Sequence, residues 1–141
     1  MKVLALFFAL SAALMFLPQA AITQAEKPEA LAQKSAEAWL ALTDSGKYAE
    51  SWDQAASMFK SAVTREQWID ALKQVRAPLG KVESRTLKSA TYTKSLPNAP
   101  AGEYVVIQYS TSFENRKDLV ETVTPVLDKD GQWRVSGYFI K

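Results

Sequence analysis

A chain of 141 residues with no cysteine and no histidine has no disulfide staple, no thiol nucleophile, no Ser-His catalysis and no zinc site of ordinary composition. Its 17 basic and 15 acidic side chains, a formal net charge of +2, are interspersed instead of gathered into a stripe, which argues against nucleic acid as a partner. Catalysis here would run on Asp, Glu, Lys, Tyr or Arg, each of which needs a strong environmental shift or a bound metal to act near neutral pH.

The chain opens MKVLALFFALSAALMFLPQAAITQAEKP, one positive charge at Lys2 followed by a charge-free run from Val3 to Ala25. This is the pattern of a secretory signal peptide. Its strongly apolar part, Val3 to Leu17, is shorter than the roughly 20 residues a spanning helix needs, and Pro18 follows it. Cleavage after Ala25 is expected, leaving residues 26–141 as one domain without a stable membrane anchor, periplasmic or secreted. A fold that reaches an oxidising compartment without cysteine must be held by packing alone.

Pro28 suits the first turn of a helix, and Leu31, Ser35, Trp39 and Leu42 recur at helical spacing up to Asp44-Ser45-Gly46. In YAESWDQAASMF, Tyr48, Trp52, Ala55, Ala56 and Phe59 form one face of a second helix. VTREQW starts the third: Thr64 caps, Gln67 completes a capping box, Val63 staples onto Trp68, and Trp68, Ile69, Leu72 and Val75 point inward. Pro78 and Gly80 end it.

From Lys81 the pattern becomes strand-like. Val82 to Thr93 is rich in threonine and β-branched residues, and in YVVIQYSTSF the residues Val105, Ile107, Tyr109, Thr111 and Phe113 share one face. Leu119 to Leu127 is a third strand in which Pro125 signals an edge or a bulge. Asp128-Lys129-Asp130-Gly131 is a hairpin turn; it lacks the third carboxylate and distal glutamate of a calcium loop. Trp133, Val135, Gly137 and Phe139 then alternate along the last strand. Helices followed by strands predict an α+β fold, N-terminal helices packed on a curved four-stranded antiparallel sheet.

Trp39, Ser51-Trp52, Trp68, RAPLG at 76–80, PAGEYVVIQYSTSF at 100–113 and DGQWRVSGYFI at 130–140 together resemble the uncharacterised exported bacterial domain-of-unknown-function family 4019. The resemblance covers essentially all of residues 26–141 and implies a small exported domain, with no activity to carry over. The order of elements also looks like the cystatin-like cone of nuclear transport factor 2 and ketosteroid isomerase, an analogy of fold that transfers no residue.

Glu121 alternates with Leu119 and Val123 and so shares their face of the sheet. Inside an apolar hollow its carboxyl would titrate high, a general-base candidate. The structural alternative pairs it with Arg85 or Arg76, because a buried carboxylate without a partner is costly. Arg76 falls in the last turn of its helix, where a cation suits the dipole, so RAPLG is a corner and not an anion cradle. Four tryptophans at these spacings mark core before they mark an aromatic binding box.

Two readings follow. One is a non-catalytic envelope module that binds a small apolar ligand or an envelope protein, with Arg76, Arg85, Glu121, Tyr104 and Tyr138 as binding candidates. The other is a small isomerase- or hydrolase-like enzyme using Glu121 with Tyr104, Tyr109 or Tyr138; Glu121 and Tyr109 are its catalytic candidates. Neither calls for a metal or a cofactor. A membrane-surface or inhibitor-like role finds no basic amphipathic helix in support.

Overall fold

The computed structural model describes residues 24–141. All but two residues of the expected leader, 1–25, lie outside the described residues. Four helices, α1 (Pro28–Asp44), α2 (Tyr48–Asp53), α3 (Ser57–Ala62) and α4 (Arg65–Arg76), precede four strands, β1 (Val82–Thr93), β2 (Tyr104–Phe113), β3 (Leu119–Leu127) and β4 (Trp133–Ile140). The strands form one antiparallel sheet in the order β1-β2-β3-β4. The fold is α+β. No helix of the described residues is long and apolar enough to cross a membrane.

The buried face of α1 is Ala32, Ala36, Trp39, Leu40 and Thr43, rotated from the predicted stripe. Leu31 is exposed, and Ser35 and Leu42 are half-buried. Alanine has no bulk, so Ala32 and Ala36 let the α1 backbone come close to the sheet, and α1 touches all four strands.

The predicted second helix is broken in two. Ala55 and Ala56 are fully buried, and Ala56 turns extended (φ −61°, ψ 151°) so that its N–H reaches the Val135 carbonyl at 2.8 Å. Alanine favours helix, but tying the chain to β4 outweighs propensity here. In α4 the capping box forms as predicted, with Thr64 Oγ1 accepting from the Gln67 N–H at 3.2 Å and Gln67 Oε1 accepting from the Thr64 N–H at 3.0 Å. The buried row of that helix is Trp68, Leu72 and Arg76, while Val75 is exposed. A cation therefore stands in the last inward position, where the sequence pattern suggested valine.

Beyond α4 a single 3-10 turn, Ala77–Leu79, leads to Gly80 at φ 75°. A Cβ there would meet the Glu114 Cβ at 3.0 Å, so the corner needs glycine twice, for its backbone angle and for its space. Asn115 latches the corner, its N–H on the Leu79 carbonyl at 3.0 Å and its side chain on Pro78 at 2.9 Å.

The predicted face of β2 is confirmed: Val105, Ile107, Tyr109, Thr111 and Phe113 are all buried. β3 is an interior strand, so Pro125 marks a bulge and not an edge. Thr124 opposes Gly137 while Pro125 opposes Val135, which leaves Ser136 as the extra residue of β4. That insertion reverses the alternation. Tyr138 packs into the core, and Phe139, predicted in line with Trp133 and Val135, is exposed instead. Two further register shifts interrupt β1 near Glu83 and Lys88; bulges bend the strands that carry them.

The main core joins α1, Trp68 and Leu72 to Val105, Ile107, Tyr109, Val123 and Val135. Three indoles are tied down by their N–H groups: Trp39 to the Ser51 carbonyl at 2.8 Å, Trp68 to Ser51 Oγ at 2.9 Å, and Trp52 to the Val63 carbonyl at 2.8 Å. Trp39 and Trp68 are buried, as the core reading requires, whereas Trp133 is half-buried.

Candidate functional site

Glu121 is fully buried on the helix-facing side of β3. Its Oε1 accepts from Arg85 Nε at 2.7 Å and from the Thr111 hydroxyl at 2.5 Å, and its Oε2 accepts from the Tyr138 hydroxyl. Arg85 also grips Asp44 with both Nη groups, at 2.7 and 3.0 Å, the forked geometry that makes arginine–carboxylate pairs strong. Arg76 donates to the same carboxylate at 2.8 Å, to Thr43 Oγ1 at 3.1 Å and to the Tyr138 oxygen at 3.4 Å.

These contacts close a ring: Arg76, Asp44, Arg85, Glu121, Tyr138 and back to Arg76. Two guanidinium charges balance two carboxylates, which the buried members Glu121 and Arg76 require, while Asp44 and Arg85 keep some contact with water. The ring gathers the ends of α1 and α4 and all four strands, because Thr111 joins it from β2. It includes four of the sequence candidates, Arg76, Arg85, Glu121 and Tyr138.

Electrostatics follow the geometry. Partial burial works against the Asp44 charge, yet hydrogen bonds from Arg85 and Arg76 outweigh it and hold the carboxyl below its ordinary range. Burial, and then the neighbouring Glu121 charge, pushes the Tyr138 hydroxyl far above the usual tyrosine value, so it stays a proton donor. Arg76 lies with its Cζ 5.0 Å from the Phe113 ring centre. Its Nε has no hydrogen-bond partner, and the ring face partly offsets that loss.

The other tyrosines stand apart. Tyr109 opposes Glu121 across the β2–β3 pair, but its buried hydroxyl bonds nothing; burial and then Glu37 push it up to about 12. Tyr104 lies at the far end of β2 in a second cluster with Ala56 and Val126, donating to the Pro100 carbonyl at 2.7 Å. Of the three tyrosines proposed to work with Glu121, only Tyr138 hydrogen-bonds to its carboxylate.

Sequence reasoning missed Asp44, which joins the two arginines. A signal was present: a carboxylate in the last turn of a helix opposes the helix dipole, so Asp44 needed cations nearby. It also missed a cleft of about 430 Å³ between α1, α2 and the start of β4, lined by Trp39, Glu50, Gln54, Gln132, Trp133 and Arg134 among others. There Arg134 is held by Asp128 at 3.1 Å and by both oxygens of Asp130 at 2.8 Å, an arrangement that draws Asp130 down to about 2. Glu50, Gln54 and Gln132 have no side-chain partner among the described residues. A larger open cleft of about 890 Å³ adjoins it, sharing Gln54 and Arg134, and runs between α3 and the loop before β2 with Tyr104 in its lining.

Fold and site define a small α+β domain whose helix-facing interior is tied by a charge-balanced ring and whose outer cleft carries exposed polar side chains without protein partners among the described residues. The chain belongs to the DUF4019 family of proteins of unknown function, whose profile matches residues 35–138. No curated protein matches the sequence.

Proposed function

We propose that this is an exported cell-envelope domain that binds a ligand in the cleft beside Trp133 and performs no chemistry at Glu121. The observation that carries this reading is the ring itself. A general base needs a free carboxylate facing substrate, whereas Glu121 is fully buried and both its oxygens already accept, from Arg85, Thr111 and Tyr138. The Trp133 cleft is the contrasting place: about 430 Å³, within the roughly 300–1,000 Å³ of small-molecule sites, with two indoles in its wall beside the polar side chains of Ser35, Glu50, Gln54, Gln132 and Arg134.

Export rests on Lys2 and the charge-free run behind it; the cystatin-like cone rests on the order of helices and strands. Mass spectrometry of the protein recovered from an exporting bacterial host is expected to show Glu26 as the first residue. Binding is tested by a thermal-shift screen of small envelope metabolites. A ligand at about 100 times its Kd adds about 2.7 kcal/mol to stability and is expected to raise Tm, while no shift from any compound contradicts the small-molecule reading.

A further inference from the structure

We infer that the Trp133 cleft is a saccharide site, taking a short neutral glycan through one face of the Trp133 indole and the side chains of Gln54, Gln132 and Glu50. This rests on the binding reading above and names its ligand class. A pyranose has an apolar face of C–H groups and a rim of hydroxyls, each both donor and acceptor. Its complement is an aromatic plane, whose electron-rich face attracts C–H edges, bordered by amides and carboxylates with unused donors and acceptors.

The cleft supplies both parts. Trp39 forms part of its wall, with its own N–H already spent on Ser51. Trp133 is half-buried, and Ser35 fixes its backbone by donating to its carbonyl at 2.7 Å. The Trp133 indole N–H, both glutamine amides and the Glu50 carboxylate have no protein partner among the described residues. Gln54 and Gln132 approach from different elements, the end of α2 and the turn before β4, so their amides flank one opening.

Other ligand classes fit less well. An apolar ligand would cover four polar groups without satisfying them, a loss for each one desolvated. An anion would meet Glu50 and the Asp128 and Asp130 carboxylates around Arg134, and a cation would leave the indole and amide N–H donors without an acceptor. A neutral ligand rich in hydroxyls conflicts with neither.

The test uses residues 26–141 and three neutral disaccharides, cellobiose, maltose and N,N′-diacetylchitobiose, with choline and cyclohexanol as cationic and apolar controls. Binding is followed by the indole N–H resonance of Trp133, assigned with Trp133→Phe, and repeated in a Gln54→Ala, Gln132→Ala double variant. Both glutamines are exposed, so the variant is expected to keep its Tm. The inference predicts saturable movement of the Trp133 resonance with at least one disaccharide and at least tenfold weaker binding in the double variant. Binding of choline or cyclohexanol alone, weakened by the same variant, overturns the saccharide class and leaves the binding reading standing. Disaccharide binding that the variant does not weaken overturns the site. No movement with any probe overturns the saccharide inference, and an accompanying blank thermal-shift screen takes the binding reading with it.

Discussion

The ring around Glu121 and the cleft around Trp133 hold similar numbers of polar side chains and treat them in opposite ways. In the ring each carboxylate is met by an arginine, and each arginine by a carboxylate; in the cleft the amides of Gln54 and Gln132 and the Glu50 carboxylate meet no protein group. A buried charge must be paired where the chain folds, whereas a polar group near water can wait for a ligand. The contrast separates side chains that build the molecule from side chains free to act.

Removing a ring member should do the most damage. Glu121→Ala leaves Arg85 and Tyr138 without their shared acceptor, and breaking a buried pair from one side costs about 3–5 kcal/mol; urea unfolding should show an unfolding free energy lower by that amount. If the variant is as stable as the parent, the ring does not hold the fold and the contrast with the cleft collapses. Tyr138→Phe deletes the hydroxyl's bond to Glu121 and the long one it accepts from Arg76, so a smaller loss of about 1.5–3 kcal/mol is expected from the same measurement.

Acid sharpens the contrast further. Asp44 is held below its ordinary value of 3.8, so the folded state binds its proton more weakly than the unfolded chain does. The stability this confers is present above the unfolded value and is lost as pH falls through the folded one. Thermal melts from pH 7 to pH 2 should show Tm dropping in that window, with a shallower drop in Asp44→Asn. The cleft is the quiet end of the series: the Gln54→Ala, Gln132→Ala double variant should stay within about 0.5 kcal/mol per site of the parent, and a large loss would make those amides structural.

The sequence carried strand limits and the helix-then-sheet order, because period-two alternation in β2 and the capping box at Thr64 are local signals that tertiary contacts reinforced. It misplaced what long-range contacts decide. Ala55 and Ala56 read as helix because they fall at helical spacing from Tyr48 and Trp52, yet the Val135 carbonyl pulls Ala56 out of it. Phe139 read as inward because the alternation was extended through Ser136, and the bulge there turns Tyr138 inward in its place. The pairing of Glu121 with Arg85 was one of two partners that charge logic allowed. Asp44 went unseen because it looked like part of a helix stop, and the cleft because its lining comes from three separated stretches of chain.

Double-mutant coupling between Arg85 and Glu121 tests the structural lock most directly. Arg85→Met, Glu121→Leu and the pair are unfolded in urea under identical conditions. Contact residues in one network couple by about 0.5–3 kcal/mol, so the pair is expected to lose less than the sum of the single losses by an amount in that range. Strictly additive losses would show that the two side chains do not act together in the folded protein, and the locked interior would have to be abandoned.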